Sequence, residues 1–140
     1  MSTRMGFEGS ILYGTAGSTA ATVITNSRDI AYNLDPEKGT TTVRGASVDP
    51  PIVMERVTSL GITIEWTMLN IDTDSTLADL LTAAYAGNEV ALRTLDRSAG
   101  KGFDGDVTVS VQHGAPIGGE QTFVFSATPS AESRAPVLYV

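Results

Sequence analysis

Apolar and polar residues alternate along much of this chain, and a period of two is typical of half-buried β-strands. The clearest case is the segment 62–68, where even-numbered positions are apolar and odd-numbered positions are polar. In 29–34 the apolar positions are Ile30, Tyr32 and Leu34, and a short strand at 90–93 places Arg93 on the face opposite Val90 and Leu92. Further strands are predicted at 40–44, 107–112 and 122–128, with Val124 interrupting the polar face of the last.

One helix is predicted over residues 75–86. Asp72 or Asp74 can cap its N-terminus, where an acidic side chain also favours the positive end of the helix dipole. Gly87 then supplies a left-handed stop. Between them lies an apolar stripe at three-to-four spacing, which must pack on a sheet. The stripe comprises Leu77, Leu80, Leu81, Ala84 and Tyr85.

Turn-forming residues separate these elements. Asp35-Pro36 with Gly39 predicts a hairpin between two strands. Residues 45–56 are predicted to form a long extended loop, and Gly100, Gly102 and Gly105 predict an irregular loop after Asp96. Residues 113–120 connect the last two strands. The order of elements predicts an α+β fold, mainly antiparallel β, as a small β-sandwich or open barrel with one flanking helix.

Length and composition limit the classes of protein. The 140 residues are expected to form one domain, 1–140, since no repeat or linker divides them. The net charge is −7 and the nine basic residues are scattered, so the chain lacks the concentrated basic face that tight nucleic-acid binding requires. With no Cys and one His, neither disulfides nor a His-based zinc site is expected.

The chain shows no segment suited to a membrane. The longest uncharged stretch, residues 9–27, is dominated by Gly, Ser, Thr and Ala, which makes it too polar for hydrocarbon. Glycine and Glu8 interrupt the N-terminal region, so no signal peptide is predicted. We expect no membrane insertion, and the product should stay in the compartment where it is made.

Candidate catalytic groups are few. His113 is the only candidate general base near neutral pH, and it is interpreted as a packed or surface residue that closes a strand. Asp104 and Asp106 have alternate spacing like that of a calcium loop, but the further oxygen ligands are missing, so an acidic turn is preferred. No phosphate-binding motif follows Gly14 and Gly17. We therefore expect no catalytic residue, no cofactor and no metal.

The sheet edges predict self-association. Edges expose unpaired backbone groups, which monomeric proteins protect with Lys, Pro or bulges. The only lysines, Lys38 and Lys101, fall in predicted turns, so the strand edges are expected to be unprotected and to pair between copies. Closure into a ring would remove these edges. The segment 129–140 is expected to be a tail whose apolar end, with Leu138 and Tyr139, docks on a neighbour.

A resemblance extends along nearly the whole chain as a pattern of strands and turns. The segments that carry it are Gly6–Gly14, Ile24–Ile30, Thr41–Arg44, Leu60–Trp66, Ala86-Gly87, Val90–Leu92, Asp104–Val107 and Ser133–Pro136. In these segments the chain resembles the tail tube proteins of tailed bacteriophages.

The resemblance implies a structural subunit without catalytic residues or cofactor. Such subunits form six-fold rings that stack into a hollow tube, which holds a tape-measure protein and later conducts DNA without binding it specifically. It also implies tail-tip or terminator proteins as partners, a location in the virion tail and synthesis in the bacterial host cytoplasm. An N-terminal arm, about 1–13, and the loop 45–56 would bridge neighbours. The candidate contact residues are Phe7, Ile11, Tyr13, Val48, Pro50, Pro51, Val53, Leu138 and Tyr139.

Within this interpretation one polar strand face lines the lumen, and an acidic bore would let DNA slide without sticking. Two sets of residues are candidates for that face. They are Thr63, Glu65 and Thr67 on one strand, and Thr108, Ser110 and Gln112 on another. The sequence does not choose between the two sets.

Three other functions stay open. The inner tube of a tailocin or another contractile injection device would use similar subunits. A small β-sandwich binding module would need an exposed aromatic cluster, whereas Trp66 alternates into the core and aromatic residues are 6% of the chain. An enzyme is the weakest alternative, since the chain has one His and no Cys.

Overall fold

The computed structural model describes residues 3, 5–43, 52–97, 100–130 and 136–137. Seven strands form one sheet in the order β2-β1-β5-β6-β7-β4-β3, and the strand pairs with a defined register are antiparallel. The predicted α+β fold with a mainly antiparallel sheet is confirmed. In chain order the elements are a 3-10 turn at Gly6–Glu8, β1 (Ser10–Thr15), β2 (Thr22–Val23), β3 (Ser27–Val43), β4 (Ile52–Leu69), α1 (Ser75–Ala86), β5 (Val90–Leu95), β6 (Asp104–Gly114) and β7 (Thr122–Pro129).

The chain divides into two compact units. The first unit comprises Met1–Tyr32 and Thr63–Val140, and the second comprises Asn33–Ile62. The two long strands β3 and β4 each contribute residues to both units. The hydrophobic core described next belongs to the first unit.

The core of the first unit follows from strand alternation. Ile64, Trp66 and Met68 of β4 are fully buried, as the period of two predicts. Trp66 stacks on Phe125 of β7, with ring centroids 5.3 Å apart and an interplanar angle of 11°. Val107 of β6 is fully buried in the same core.

Strand β5 departs from the expected alternation. Val90, Ala91, Leu92 and Thr94 are all buried, so both faces of this strand are covered. On the second face Ala91 packs with Leu12 and Ala20. The segment that follows β1 is held there because Gly17, with a φ of 88°, donates its backbone N–H to the carboxylate of the buried Asp106 at 3.0 and 3.2 Å.

Helix α1 has the predicted bounds, Ser75–Ala86, and the predicted stop, and of the two candidate caps the structure uses Asp74. Asp74 accepts hydrogen bonds from the backbone N–H groups of Thr76 and Leu77, at 3.1 and 3.4 Å, and Gly87 has a φ of 74°. The prediction for Tyr85 is wrong, because its side chain is 75% exposed. The buried side is centred on Leu80, and Tyr85, five residues later, projects about 140° away at 100° per residue.

Asp74→Ala should lower the free energy of unfolding by about 1 kcal/mol, the usual effect of losing an N-cap. Asn26 Nδ2 also donates to Asp74 Oδ2 at 3.2 Å, so the substitution removes a tertiary contact as well. Urea unfolding followed by circular dichroism measures the change. Asp72→Ala, at the exposed alternative cap position, should change stability by less than about 0.5 kcal/mol. Equal losses in both variants would contradict the assignment of the cap.

Three turn predictions are corrected by the structure. β3 continues without interruption through Asp35-Pro36 and Gly39, so no hairpin forms there. An edge strand tolerates proline because one side of its backbone needs no hydrogen-bond donor, and β3 is last in the strand order. β4 already begins at Ile52, within the predicted loop 45–56, and residues 44–51 lie outside the described ranges. Gly105 belongs to β6 and not to a loop.

The two edge strands are better protected than the sequence predicts. Lys38 and Pro36 lie within β3 and not in a turn, and Lys38 Nζ is 3.5 Å from Glu55 Oε2. The opposite edge strand, β2, is only two residues long. Short strands, lysine and proline are devices that prevent edge pairing. Any association of this chain must therefore depend on other surfaces besides bare edges.

Candidate assembly surfaces

The two sets of predicted lumen residues lie on one face of the sheet. β7 lies between β6 and β4 in the strand order, and Ser126 of β7 pairs with both Glu65 of β4 and Ser110 of β6. Likewise Val124 pairs with both Thr67 and Gln112. Residues directly opposite one another on paired strands project to the same side. The two sets are thus parts of a single surface and not alternatives.

Among the six predicted residues and the β7 residues described as their partners, only Glu65 carries a charge. Glu65 is exposed, and the residues that pair across the three strands with it, with Thr67 and with Thr108 carry hydroxyl, amide or valine side chains. Further along the same side of β6, Asp106 is buried and accepts the backbone N–H of Gly17. The hydroxyls of Thr108 and Thr128 are 3.3 Å apart and share a hydrogen bond. Sequence reasoning missed the contribution of β7. The polar positions that alternate with its phenylalanines were the available signal.

A second surface lies in the unit Asn33–Ile62. None of its described side chains is buried, although several are large and apolar. Val53 is 63% exposed, and the other exposed apolar residues are Leu34, Met54, Val57 and Leu60. Alternation along β4 places Val53 and Val57 on one face and Met54 and Leu60 on the other, so both faces carry exposed apolar side chains. Exposed apolar surface of this kind typically marks contacts with other molecules.

The side-chain hydrogen bonds described within this second unit join β4 to Glu37 of β3. Thr58 Oγ1 donates to the backbone carbonyl of Glu37 at 3.2 Å, and Ser59 Oγ donates to Glu37 Oε2 at 3.1 Å. Exposed pairs of this type contribute little stability, and a two-stranded segment without a core is marginal in water. The second unit therefore gains stability if its apolar side chains are covered.

The residues predicted to contact neighbouring subunits differ in their exposure, and some lie outside the described ranges. Val53 belongs to the exposed apolar set of the second unit. Ile11 is fully buried in the core of its own chain, so the prediction that it contacts a neighbour is corrected. Phe7 lies in the 3-10 turn Gly6–Glu8. The remaining candidates are outside the part of the chain that the structure describes, namely Val48, Pro50, Pro51, Leu138 and Tyr139.

Tyr13 is engaged within its own chain. Its hydroxyl donates to Asp79 Oδ2 of α1 at 2.9 Å. Burial, and then the hydrogen bond to this carboxylate, raise the pKa of Tyr13 above its ordinary value. The phenol therefore stays a neutral donor at physiological pH and ties β1 to the helix. Residues 10–13 belong to the sheet and not to a free arm.

The turn between β6 and β7 presents an apolar side chain. Gly119 donates its backbone N–H to the carbonyl of Pro116 at 3.3 Å, and Gly118 has a φ of 79°, a combination typical of a type II turn. Ile117, between them, is 106% exposed. Backbone hydrogen bonding thus fixes the conformation of the turn, while the side chain of Ile117 is fully exposed to solvent.

The base of the same turn is held by Gln121. Its Oε1 accepts from Asn70 Nδ2 at 2.8 Å and is 3.1 Å from His113 Nε2. The His113 ring stacks on Phe123, with centroids 4.6 Å apart. His113 therefore has a structural role at the end of a strand, as the sequence indicated.

The described residues offer few groups for chemistry. No cluster of three or more His, Cys, Asp or Glu side chains there could hold a metal ion. A groove of about 910 Å³ in the first unit is lined by both apolar and charged residues, among them Ile24, Arg28, Tyr32 and Lys101, without His or Cys. Burial raises the pKa of Tyr32 above its ordinary value. No helix in the described ranges is long and apolar enough to cross a membrane.

Comparison with known proteins finds similarity only in structure. No family model matches the chain, and no curated protein matches its sequence. A chain in the tail of an empty gene transfer agent particle, refined as a helix with C6 symmetry, superposes with a TM-score of 0.79 at 13% identity, covering 99% of this chain and 100% of that one.

Two further solved structures have the same fold. A chain in the virion of a native gene transfer agent gives a TM-score of 0.71 at 13% identity, with 99% of both chains covered. The SPP1 tail tube gives 0.65 at 11% identity, covering 90% of this chain and 75% of that one. The resemblance to tail tube proteins is thus confirmed at the level of the fold.

Proposed function

We propose that this chain is a structural subunit whose copies form rings that stack into the hollow tail tube of a phage or phage-like particle, through which DNA is delivered. One observation carries the proposal. The fold matches that of a chain in a C6-symmetric tail along 99% of this chain with a TM-score of 0.79. The role is structural and requires no catalytic residue. The product would be made in the host cytoplasm and would end in the virion tail.

The second unit supports association between copies. Its exposed apolar side chains include Val53, Val57 and Leu60, and none of the side chains described in this unit is buried. Burial of an apolar side chain contributes roughly 1.5–3 kcal/mol, and a ring repeats that contact at every subunit. Coverage of these side chains by neighbouring copies would therefore stabilise both the second unit and the ring.

The polar face of β4, β6 and β7 is the proposed wall of the bore. The opposite face of the segments 63–68, 108–112 and 123–128 is the core, so in these segments the polar face is the one left to solvent. Exposed hydroxyls and a single carboxylate, Glu65, offer phosphate neither cationic partners nor aromatic rings for stacking. DNA could then slide along it without specific binding. A tape-measure protein before DNA, and tail-tip or terminator proteins at the tube ends, complete the proposed set of partners.

The purified chain tests the proposal directly. Sedimentation over a series of concentrations, combined with negative-stain electron microscopy, should show rings or tubes with a continuous central hole. A monomer that persists at the highest concentration would overturn the proposal. A small binding module would behave in that way.

Glu65→Lys should reduce DNA delivery per particle by at least about tenfold while tubes still assemble, because a ring of lysines in the bore would bind phosphate and release its counterions. Infectivity or transfer per particle counted by electron microscopy measures the effect. Glu65→Gln keeps the size of the side chain and adds no positive charge, so it should change delivery much less. Normal delivery by particles with Glu65→Lys would remove this face from the wall of the bore.

A further inference from the structure

We propose that Ile117 is an axial contact of the tube, and that it packs against a surface of a copy in the next ring that includes Val137. This inference rests on the proposed stacking of rings. It adds the residues through which one ring meets the next.

Ile117 is presented in a form suited to such a contact. The hydrogen bond from Gly119 to Pro116 and the left-handed Gly118 fix the backbone on either side of it. Gln121 holds the base of the turn through Asn70 and His113. A side chain on a preorganised turn loses little conformational entropy on binding, so an exposed isoleucine there favours association.

Val137 lies beside the first residue of β6, whereas Ile117 lies just beyond the last residue of that strand. It exchanges two backbone hydrogen bonds with Asp104, the first residue of β6, at 2.8 and 2.9 Å, and is 48% exposed. Ile117 follows Gly114, the last residue of β6. Since β6 has 11 residues, the two apolar side chains are separated by about 35 Å and cannot meet within one chain.

Opposite ends of a subunit meet when identical rings stack in one direction. Such a contact is heterologous and does not close, so it propagates into a filament. If the polar face lines the bore and the sides of the sheet face neighbours within the ring, the ends of β6 point along the tube. Ile117 at one end of β6 and Val137 at the other are then the apolar positions that a stacked neighbour can cover.

Charge also favours these two surfaces. Copies of a chain with a net charge of −7 repel one another, so contacts are favoured where charge is low. Residues 115–119, around Ile117, and residues 136–137 carry no charged side chain. Contact between them avoids the repulsion that acts over much of the rest of the chain.

Crosslinking tests the pairing, because the natural chain has no Cys. A variant with both Ile117→Cys and Val137→Cys, assembled into tubes and treated with a short bis-maleimide, should give a ladder of covalent oligomers on a denaturing gel. Each single-cysteine variant is a matched control and should give no ladder. Dimers from Ile117→Cys alone would indicate tip-to-tip packing and would overturn the proposal.

Assembly of substituted chains gives a second readout. Ile117→Asn should shorten tubes at least about tenfold and leave single rings intact, because each ring interface loses one apolar contact per subunit. Ile117→Leu should keep normal tubes. Tubes of normal length and no ladder would overturn this inference alone, whereas a wild-type chain that forms no rings would overturn the proposed function.

Discussion

A chain with Val57→Asp and Leu60→Asp should stay folded and fail to form rings. Both side chains are exposed in a unit none of whose described side chains is buried, and both would be covered by neighbours in the proposed assembly. Loss of two apolar contacts per subunit costs roughly 3–6 kcal/mol, which corresponds to a fall in association of at least about 100-fold. Sedimentation velocity measures the loss of rings, and circular dichroism checks that the sheet persists.

A control separates apolar contact from added charge. Ala78→Asp and Tyr85→Asp place the same two charges on the exposed side of α1. This variant should still form rings, because neither position belongs to the apolar set of the second unit. If both double variants fail to assemble, charge repulsion alone would explain the result. If both assemble normally, the second unit does not mediate the contact.

Trp66→Ala should lower the free energy of unfolding by about 3–5 kcal/mol, the range for loss of a large buried aromatic side chain. Trp66 is fully buried and stacked on Phe125. Its indole N–H has no hydrogen-bond partner in the described part of the chain, so the loss comes from burial, stacking and the cavity left behind. Most domains are stable by only 5–15 kcal/mol, so the variant would be close to unfolding.

The stability of Trp66→Ala should be measured in a variant that does not assemble, so that association does not add to the free energy of unfolding. Urea unfolding of Trp66→Ala in the background of Val57→Asp and Leu60→Asp avoids any contribution from association. Tyr85→Ala, at a position 75% exposed, is the matched aromatic control and should change stability by less than about 0.5 kcal/mol. Equal losses for Trp66 and Tyr85 would contradict the assignment of the core.

Local signals predicted much of this fold. The bounds of α1 and its stop at Gly87 each depend on a few neighbouring residues, and the structure has both. The sequence left the cap open between Asp72 and Asp74, and the structure uses Asp74. The buried positions of β4 followed from alternation for the same reason. Tyr85 was misplaced because the centre of a buried helix face is set by the sheet beneath it and not by the helix sequence.

Features that depend on strand order could not be predicted in this way. Asp35-Pro36 and Gly39 are turn signals in isolation, but an edge strand accommodates them, and edge position is a property of the whole sheet. The union of the two polar sets into one face likewise depends on β7 lying between β4 and β6. That order joins residues far apart in sequence, which periodicity within one segment does not report.

Pro36 and Lys38 in the last strand of the sheet also affect when growth can begin. A copy whose outer strand resists strand addition does not recruit other copies at random, so newly made chains stay separate at moderate concentration. At such concentrations growth then starts mainly on a template that already presents the matching surfaces, whereas the concentrated purified chain can still form rings by itself. At moderate concentration the onset of growth, and with it the number of filaments in a cell, would therefore depend on the supply of such templates.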